Sequence, residues 1–271
     1  MPTVPGFEGT GLVVEAGTSA KSLIGEKVSC FVQEDSDGTW AEYFIARKKD
    51  CIVLKDNMDV AQAACFSINP LTAYGMFEML KLLNCNAFIV NAGGGQVPKI
   101  LRAFAKRDGI EVINIVRKEG SVKEIKSEGE KYVLNSSDEK FEDHLRQLCE
   151  EIYPTFAFDA VGGEMSAHLF NAMPPNSNVV VYGGLSGNSI SGIDTMDLIF
   201  KDKALLGFNL NDWVPTKTSE EIKSITDELQ EMYINGSLKT EIQGSYKLDD
   251  VVRGIKTYIK SMSSGKVLFI P

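Results

Sequence analysis

The spacing of apolar and polar positions changes twice along the chain, and each regime predicts a different kind of structure. In the first third the apolar residues come in short runs, Gly11 to Ala16, Lys27 to Val32, Trp40 to Ile45 and Cys51 to Leu54, with Gly17, Gly25, Gly38 and Asp50 near the breaks. Runs of that length bounded by turn residues predict the strands of a small antiparallel or barrel-like unit. From Val60 to about Leu83 the spacing becomes helical, with Pro70 predicted to interrupt it.

In the middle of the chain apolar runs alternate with amphipathic stretches, the pattern of a parallel sheet covered by crossover helices. The predicted strands are Ala87 to Asn91, Val112 to Val116, Tyr132 to Leu134, Phe156 to Asp159, Val179 to Tyr182 and Ala204 to Phe208. Between the first two, Val97, Ile100, Leu101, Phe104 and Ala105 recur at helical spacing and predict one buried stripe. After Trp213 a long helix is predicted, opened by a capping box of Thr218 and Glu221 and burying Ile222, Ile225, Leu229, Met232 and Tyr233. A second helix near Leu248 to Ser261 precedes a terminal strand, Lys266 to Ile270. The expected fold is therefore α/β, a Rossmann-type doubly wound parallel sheet beside a smaller β-rich domain. The expected divisions are 1–64, 65–210 and a C-terminal return over 211–271.

Composition narrows the classes of partner. With 28 basic and 37 acidic residues the net charge is -9, a sign that repels phosphate backbones and anionic lipid surfaces, so neither nucleic acid nor membrane insertion is expected. The start, Met1-Pro2-Thr3-Val4-Pro5, has neither a basic nor an apolar leader region, and an intracellular protein is expected, cytoplasmic or of the mitochondrial matrix. Cys30, Cys51, Cys65, Cys85 and Cys149 are widely spaced with no C-x-x-C pair, which predicts reduced thiols.

The chemistry concentrates at the turn after the first predicted strand of the middle region. Gly93, Gly94 and Gly95 stand between an apolar strand and an amphipathic helix, where backbone N–H groups can approach a pyrophosphate and the helix dipole favours its charge. Gly93 and Gly95 match the first two glycines of G-x-G-x-x-G, whereas Pro98 stands where the third would be; a proline is tolerated in a first helical turn. The next strand ends in Val116-Arg117-Lys118. An acidic residue there would bind the free ribose hydroxyl of NAD, but Arg117 and Lys118 would pair with a 2′-phosphate, so NADP(H) is the expected cofactor. The alternative is that both are solvated loop cations.

Other chemistries lack residues. A catalytic zinc needs about three His, Cys or carboxylate ligands, yet the only histidines, His144 and His168, lie on predicted helices far from the first third, and no metal site is expected. There is no G-x-S-x-G elbow and no Tyr-x-x-x-Lys pair on a helix after the fourth strand. Tyr43, Asn69, Thr72 and Tyr74 are the polar candidates around the predicted domain junction.

Val4-Pro-Gly-Phe-Glu-Gly-Thr-Gly-Leu-Val13, Gly38-Thr-Trp-Ala-Glu-Tyr43, Ile68-Asn-Pro-Leu-Thr-Ala73, Phe158-Asp-Ala-Val-Gly-Gly163, Val181-Tyr-Gly-Gly-Leu-Ser-Gly187 and Gly265-Lys-Val267 stand in this order along the chain. Together they resemble the medium-chain dehydrogenase/reductase superfamily, in its zinc-less quinone oxidoreductase and enoyl thioester reductase branch. The resemblance implies that the β-rich part is a GroES-like domain and that Phe7 fills the position of a zinc-ligating histidine. It further implies that Gly94, Gly95, Gln96 and Val97 cradle the pyrophosphate, that Arg117, Asn135 and Ser136 hold the adenosine end, and that Val161, Gly183 and Leu185 line the strand ends. Asn69 and Thr72, with Phe208 and Leu210 opposite, would flank the nicotinamide, and Lys266 would lie near the cofactor.

The resemblance thus implies a zinc-independent, NADPH-dependent reductase of an activated double bond or a quinone, with a small-molecule substrate. Family members have a longer stretch before the Pro-Gly-Phe-Glu-Gly landmark, so the GroES-like domain is expected to be truncated. The rival expectation is a non-catalytic relative that serves as a cofactor-binding or structural subunit. A homodimer is expected through an exposed sheet edge, with Val179 to Tyr182 as the edge strand.

Overall fold

The structure, a computed structural model, describes residues 3–32 and 37–271, so Met1 and Pro2 lie outside the described residues. The chain forms two compact units, one of Met1–Thr72 with Val214–Pro271 and one of Ala73–Trp213.

In the first unit β1 (Glu8–Leu12), β2 (Lys27–Phe31) and β3 (Cys51–Val53) form an antiparallel sheet in that order. The short helix α1 (Val60–Ala63) follows, capped by the Asp59 carboxylate on the Gln62 N–H. Two expectations change here. Trp40 to Ile45 is not a strand: the Trp40 ring packs tilted against Phe269 with centroids 4.4 Å apart, the Trp40 backbone N–H donates to the Pro5 carbonyl, and among the described residues no strand offers residues 41–45 a ladder. Pro70 does not interrupt a helix but sits in the first turn of α2 (Asn69–Leu82), where its missing N–H forfeits no intrahelical bond. The helical spacing actually breaks at 64–68.

The second unit holds a parallel six-stranded sheet. Along the chain its elements are β4 (Ala87–Val90), α3 (Gln96–Asp108), β5 (Glu111–Val116), α4 (Glu119–Ser127), β6 (Tyr132–Asn135), α5 (Phe141–Ile152), β7 (Phe156–Asp159), α6 (Glu164–Ala172), β8 (Asn178–Val181), α7 (Thr195–Phe200), β9 (Ala204–Gly207) and α8 (Leu210–Trp213). The strand order is β6, β5, β4, β7, β8, β9, with the reversal between β4 and β7. Alternate strand residues face opposite sides. Ile89, Ile113, Ile115, Ala157 and Val179 pack with Leu145 and Cys149 of α5 and Leu169 and Phe170 of α6. Phe88 meets Phe158 at 5.6 Å on the sheet, and Phe104 of α3 meets Phe77 of α2 at 5.2 Å.

The expected edge strand is misplaced. Residues 178–181 pair on both sides, with β7 and β9, and the edge nearest them is β9. A four-residue apolar run reads alike in either position, and only the added partner distinguishes them.

The chain then returns to the first unit through α9 (Ser219–Ile234), β10 (Ile242–Lys247), α10 (Val251–Lys260) and β11 (Lys266–Ile270), with β10 and β11 pairing in parallel. The capping box forms as read: Thr218 Oγ1 accepts the Glu221 N–H and the Glu221 carboxylate accepts the Thr218 N–H. Ile225, Leu229 and Tyr233 are buried and Ile222 and Met232 half-buried, as the spacing predicts. Strand β10 is absent from the sequence reading because Gly244, Ser245 and the bulge between Ile242 and Gly244 erase its alternation.

Candidate functional site

Strand β4 is buried at every position and delivers the chain to Asn91, which is 1% exposed. Ala92 then adopts a left-handed backbone, φ +49°, unusual for a residue with a Cβ. Its carbonyl accepts the Gly95 N–H at 2.7 Å, closing a tight turn, while the Gly93 N–H donates to Ile115 of β5 at 3.0 Å. A Cβ on Gly93 would lie 3.1 Å from Val116 Cγ1 and 3.3 Å from the Ile115 carbonyl, so glycine is needed for packing rather than for its φ. Gly95 is the N-cap of α3 and offers no side-chain cap, so the positive end of the helix dipole faces the turn without a capping side chain. Pro98 lies in that first turn, buried, its Cδ 3.5 Å from where a Gly95 Cβ would be.

The ends of β5 and β6 meet beside this turn, with Val116 opposite Asn135. Arg117 and Lys118 are both exposed. Ser136 N–H donates to the Val116 carbonyl at 2.7 Å, Asn135 Oδ1 accepts the Ser137 N–H, and Ser137 Oγ donates to the Arg117 carbonyl at 3.0 Å. Arg117, Lys118, Asn135 and Ser136 thus come together, and Ser137 joins them, unread in the sequence.

Across the sheet's reversal, Asp159 ends β7 completely buried. Its Oδ1 accepts Asn91 Nδ2 and the N–H groups of Val161 and Gly162, and its Oδ2 accepts Ser166 Oγ. This one carboxylate fixes the loop that carries Val161. Gly183 lies so close to the Ala160 carbonyl that a Cβ would stand 2.9 Å from it, and Leu185, largely exposed, donates its N–H to the same carbonyl. Phe208 N–H donates to Val181 and its ring fills the space left by Gly75, while Leu210 is buried at the start of α8. Asp159 and Asn91 escaped the sequence reading; a polar residue closing an otherwise apolar strand was the available signal.

Asn69 and Thr72 belong to the first unit, at the start of α2, with Thr72 N–H donating to Ile68. Just ahead of them the Ile68 N–H donates to Glu8 Oε2, and Glu8 Oε1 accepts Lys266 Nζ at 3.0 Å. Burial pulls the Lys266 ammonium down, but the Glu8 charge and hydrogen bond outweigh it and hold it above the ordinary lysine range. The ammonium of Lys266 is therefore engaged by this chain's own carboxylate.

His144 is exposed on α5, and His168 Nδ1 lies 3.3 Å from Glu142 with its ring edge-on to Phe141. Among the described residues no cluster of three or more His, Cys, Asp or Glu is placed to hold a metal ion, and no helix is long and apolar enough to cross a membrane.

Comparison with known proteins fits this geometry. Residues 99–231 match the zinc-binding dehydrogenase family. The mitochondrial enoyl-[acyl-carrier-protein] reductase of Rattus norvegicus is 27% identical over 273 residues, a match that covers 98% of this chain and 72% of the rat protein. A crystal structure from Mesorhizobium loti, provisionally assigned as an NADPH:quinone reductase, is 31% identical with a TM-score of 0.92, covering 98% of this chain and 77% of that one. The complex of Etr1p with NADP and crotonyl-CoA shares the fold, with 23% identity, a TM-score of 0.77 and coverage of 99% and 80%. The parallel sheet, its glycine turn and these matches converge: the chain belongs to the medium-chain dehydrogenase/reductase superfamily, in the quinone oxidoreductase and enoyl thioester reductase branch of NAD(P)-dependent reductases.

Proposed function

We propose that the chain binds NADP(H) at the turn after β4 and, without zinc, reduces an activated double bond, as in an enoyl thioester, or a quinone. The observation that carries this reading is the meeting of Arg117 with Asn135, Ser136 and Ser137 beside the glycine turn, where an enzyme selective for NAD would need an acidic residue. The donor set suits the group: the positive end of α3, which has no capping side chain, for the pyrophosphate, with Gly93, Gly94, Gly95, Gln96 and Val97 as the cradle, and the Arg117 guanidinium with Lys118 for a 2′-phosphate. Val161, Gly183, Leu185, Phe208 and Leu210 are assigned to the nicotinamide half. The cofactor supplies the hydride. Asn69 and Thr72 orient the substrate and stabilise the charge that develops on its oxygen, and Lys266 holds Glu8, whose other oxygen fixes the backbone ahead of Asn69.

Titration of nicotinamide fluorescence with NADPH and NADH tests the binding reading. Arg117→Ser should weaken NADPH about tenfold and leave NADH unchanged, since a charge-assisted contact of this kind is worth about 1.4 kcal/mol or more. Oxidation of NADPH with enoyl-CoA and benzoquinone panels tests the catalytic reading; tight binding without turnover on either class would overturn it in favour of a cofactor-binding subunit.

The same reading includes a homodimer formed at β9, supported by exposed Leu206 on that strand and by exposed Met196, Ile199 and Phe200 on the helix before it. Leu206→Lys should shift the native mass towards the monomer. Activity is assigned to a compartment that keeps thiols reduced, the cytoplasm or mitochondrial matrix.

A further inference from the structure

The buried face of α3 carries a charge that neither the hydrophobic stripe nor the glycine pattern requires. Arg102 lies two turns into the helix and is 5% exposed. One guanidinium nitrogen, Nη1, donates to the Gly93 carbonyl at 2.6 Å and lies 3.3 Å from Asn114 Oδ1; the other, Nη2, meets Glu128 Oε2 at 3.0 Å. Asn114 is itself fully buried in the middle of β5, and its Nδ2 donates to Glu130 Oε2 at 3.0 Å. The guanidinium therefore ties together the glycine turn, the adjacent strand and the segment that follows α4.

A buried guanidinium is costly unless its donors are used, and two of them are directed at the turn and its neighbouring strand. The Gly93 carbonyl and the Gly94 N–H belong to one planar trans peptide and point in opposite directions. A donor that holds the carbonyl therefore also fixes the Gly94 N–H, directed away from Arg102. The Gly93 N–H is pinned separately to Ile115, so both faces of this residue are held.

Resting on the reading that this turn binds a dinucleotide, we infer that Arg102 is a positioning residue for the pyrophosphate: it locks the Gly93–Gly94 peptide plane so that the Gly94 N–H, the one glycine N–H of the turn not used by Ile115 or Ala92, is preorganised to receive a phosphate oxygen. The lock also suits the substitution of proline for the third glycine. With Pro98 in the first helical turn, the register of the turn against β5 is held by a side-chain hydrogen bond.

A residue acting on the pyrophosphate must affect NADPH and NADH alike, because both carry it, and must leave 2′-AMP unaffected, because it has none. Arg102→Met is expected to weaken both dinucleotides by about tenfold with their affinity ratio unchanged, to leave the inhibition constant of 2′-AMP within twofold, and to raise KM for NADPH more than it lowers kcat. Arg102→Lys keeps a charge but is too short to span Gly93, Asn114 and Glu128 together, so about a threefold loss on both dinucleotides is expected. The lysine variant decides the matter if the methionine variant does not fold. Unchanged dinucleotide affinity in a folded variant overturns the inference, as does a parallel loss for 2′-AMP, which marks a general loosening of the unit. Failure of the wild-type protein to bind either dinucleotide overturns the parent reading and this one with it, an outcome distinct from both.

Discussion

The two units solve the burial problem differently. In the unit Ala73–Trp213, strands β4 and β7 are buried at every residue and the sheet is sandwiched by helices, so apolar side chains on both faces lose contact with water. In the other unit β1, β10 and β11 contain no fully buried residue, and large apolar side chains such as Phe7, Tyr43, Ile45 and Ile259 remain exposed. The difference teaches where each unit keeps its stability. The unit Ala73–Trp213 is held by its apolar core. The other leans on particular polar links: Gln230 Oε1 accepts the Lys55 N–H, Gln62 bonds the Thr240 backbone through both its carbonyl and its amide, and Glu8 pairs with Lys266.

The chain's two tryptophans allow the comparison to be broken experimentally, since Trp40 reports one unit and Trp213 the other. The largest effect is expected from Phe158→Ala, which removes a fully buried ring from the sheet core. The cost is about 4 kcal/mol, read as a fall in the denaturant midpoint of a variant that keeps only Trp213.

A smaller effect, about 1.4 kcal/mol per unit of pKa depression, concerns acid. Burial pushes the Asp197 carboxyl up, but hydrogen bonds and charges from Lys201 and Lys203 outweigh it and leave it below the usual range; the Arg107 hydrogen bond, with Lys81, does the same for Asp108. A depressed carboxyl contributes its stability in full above its unfolded pKa and loses it as pH falls through the folded value. The Trp213 transition should therefore move to lower denaturant as pH drops below about 4, and Asp197→Asn should flatten that slope while lowering stability at neutral pH. A slope unchanged by the substitution would contradict the assignment.

The smallest effect sharpens the other side of the comparison. Ile45, 86% exposed, should tolerate serine within about 0.5 kcal/mol by the Trp40 transition, whereas a loss of several kcal/mol would mean that this side chain is covered in solution.

Most of the sheet-bearing unit was legible because its signals are local. Apolar runs of four to six residues, a glycine turn and one amphipathic stripe specify strand, turn and helix within a few residues of chain, so β7 matches its predicted bounds to the residue and β4, β5 and β8 match theirs to within one. The glycine turn, the Arg117-Lys118 strand end and the Thr218 capping box are local in the same sense. The first unit was harder to read because its strands are short and half-exposed. Trp40 to Ile45 has strand composition but no partner, and β10 has a partner but little strand composition.

What the sequence determined by itself, then, was the class of fold, the place of the candidate cofactor turn and the cation beside it, because each depends on residues adjacent in the chain. What only the tertiary structure decided were relationships between distant residues. It made β9 rather than β8 the edge, joined Asp159 to Asn91, and set Cys30 opposite Cys51 with their sulfurs 3.5 Å apart where the spacing had shown only scattered thiols. It also turned Arg102, one more basic residue on a helix, into the group that holds the Gly93 carbonyl. A hydrogen bond between residues far apart in sequence has no periodicity, and its energy depends on a donor and acceptor being brought within about 3 Å by packing that neither encodes alone.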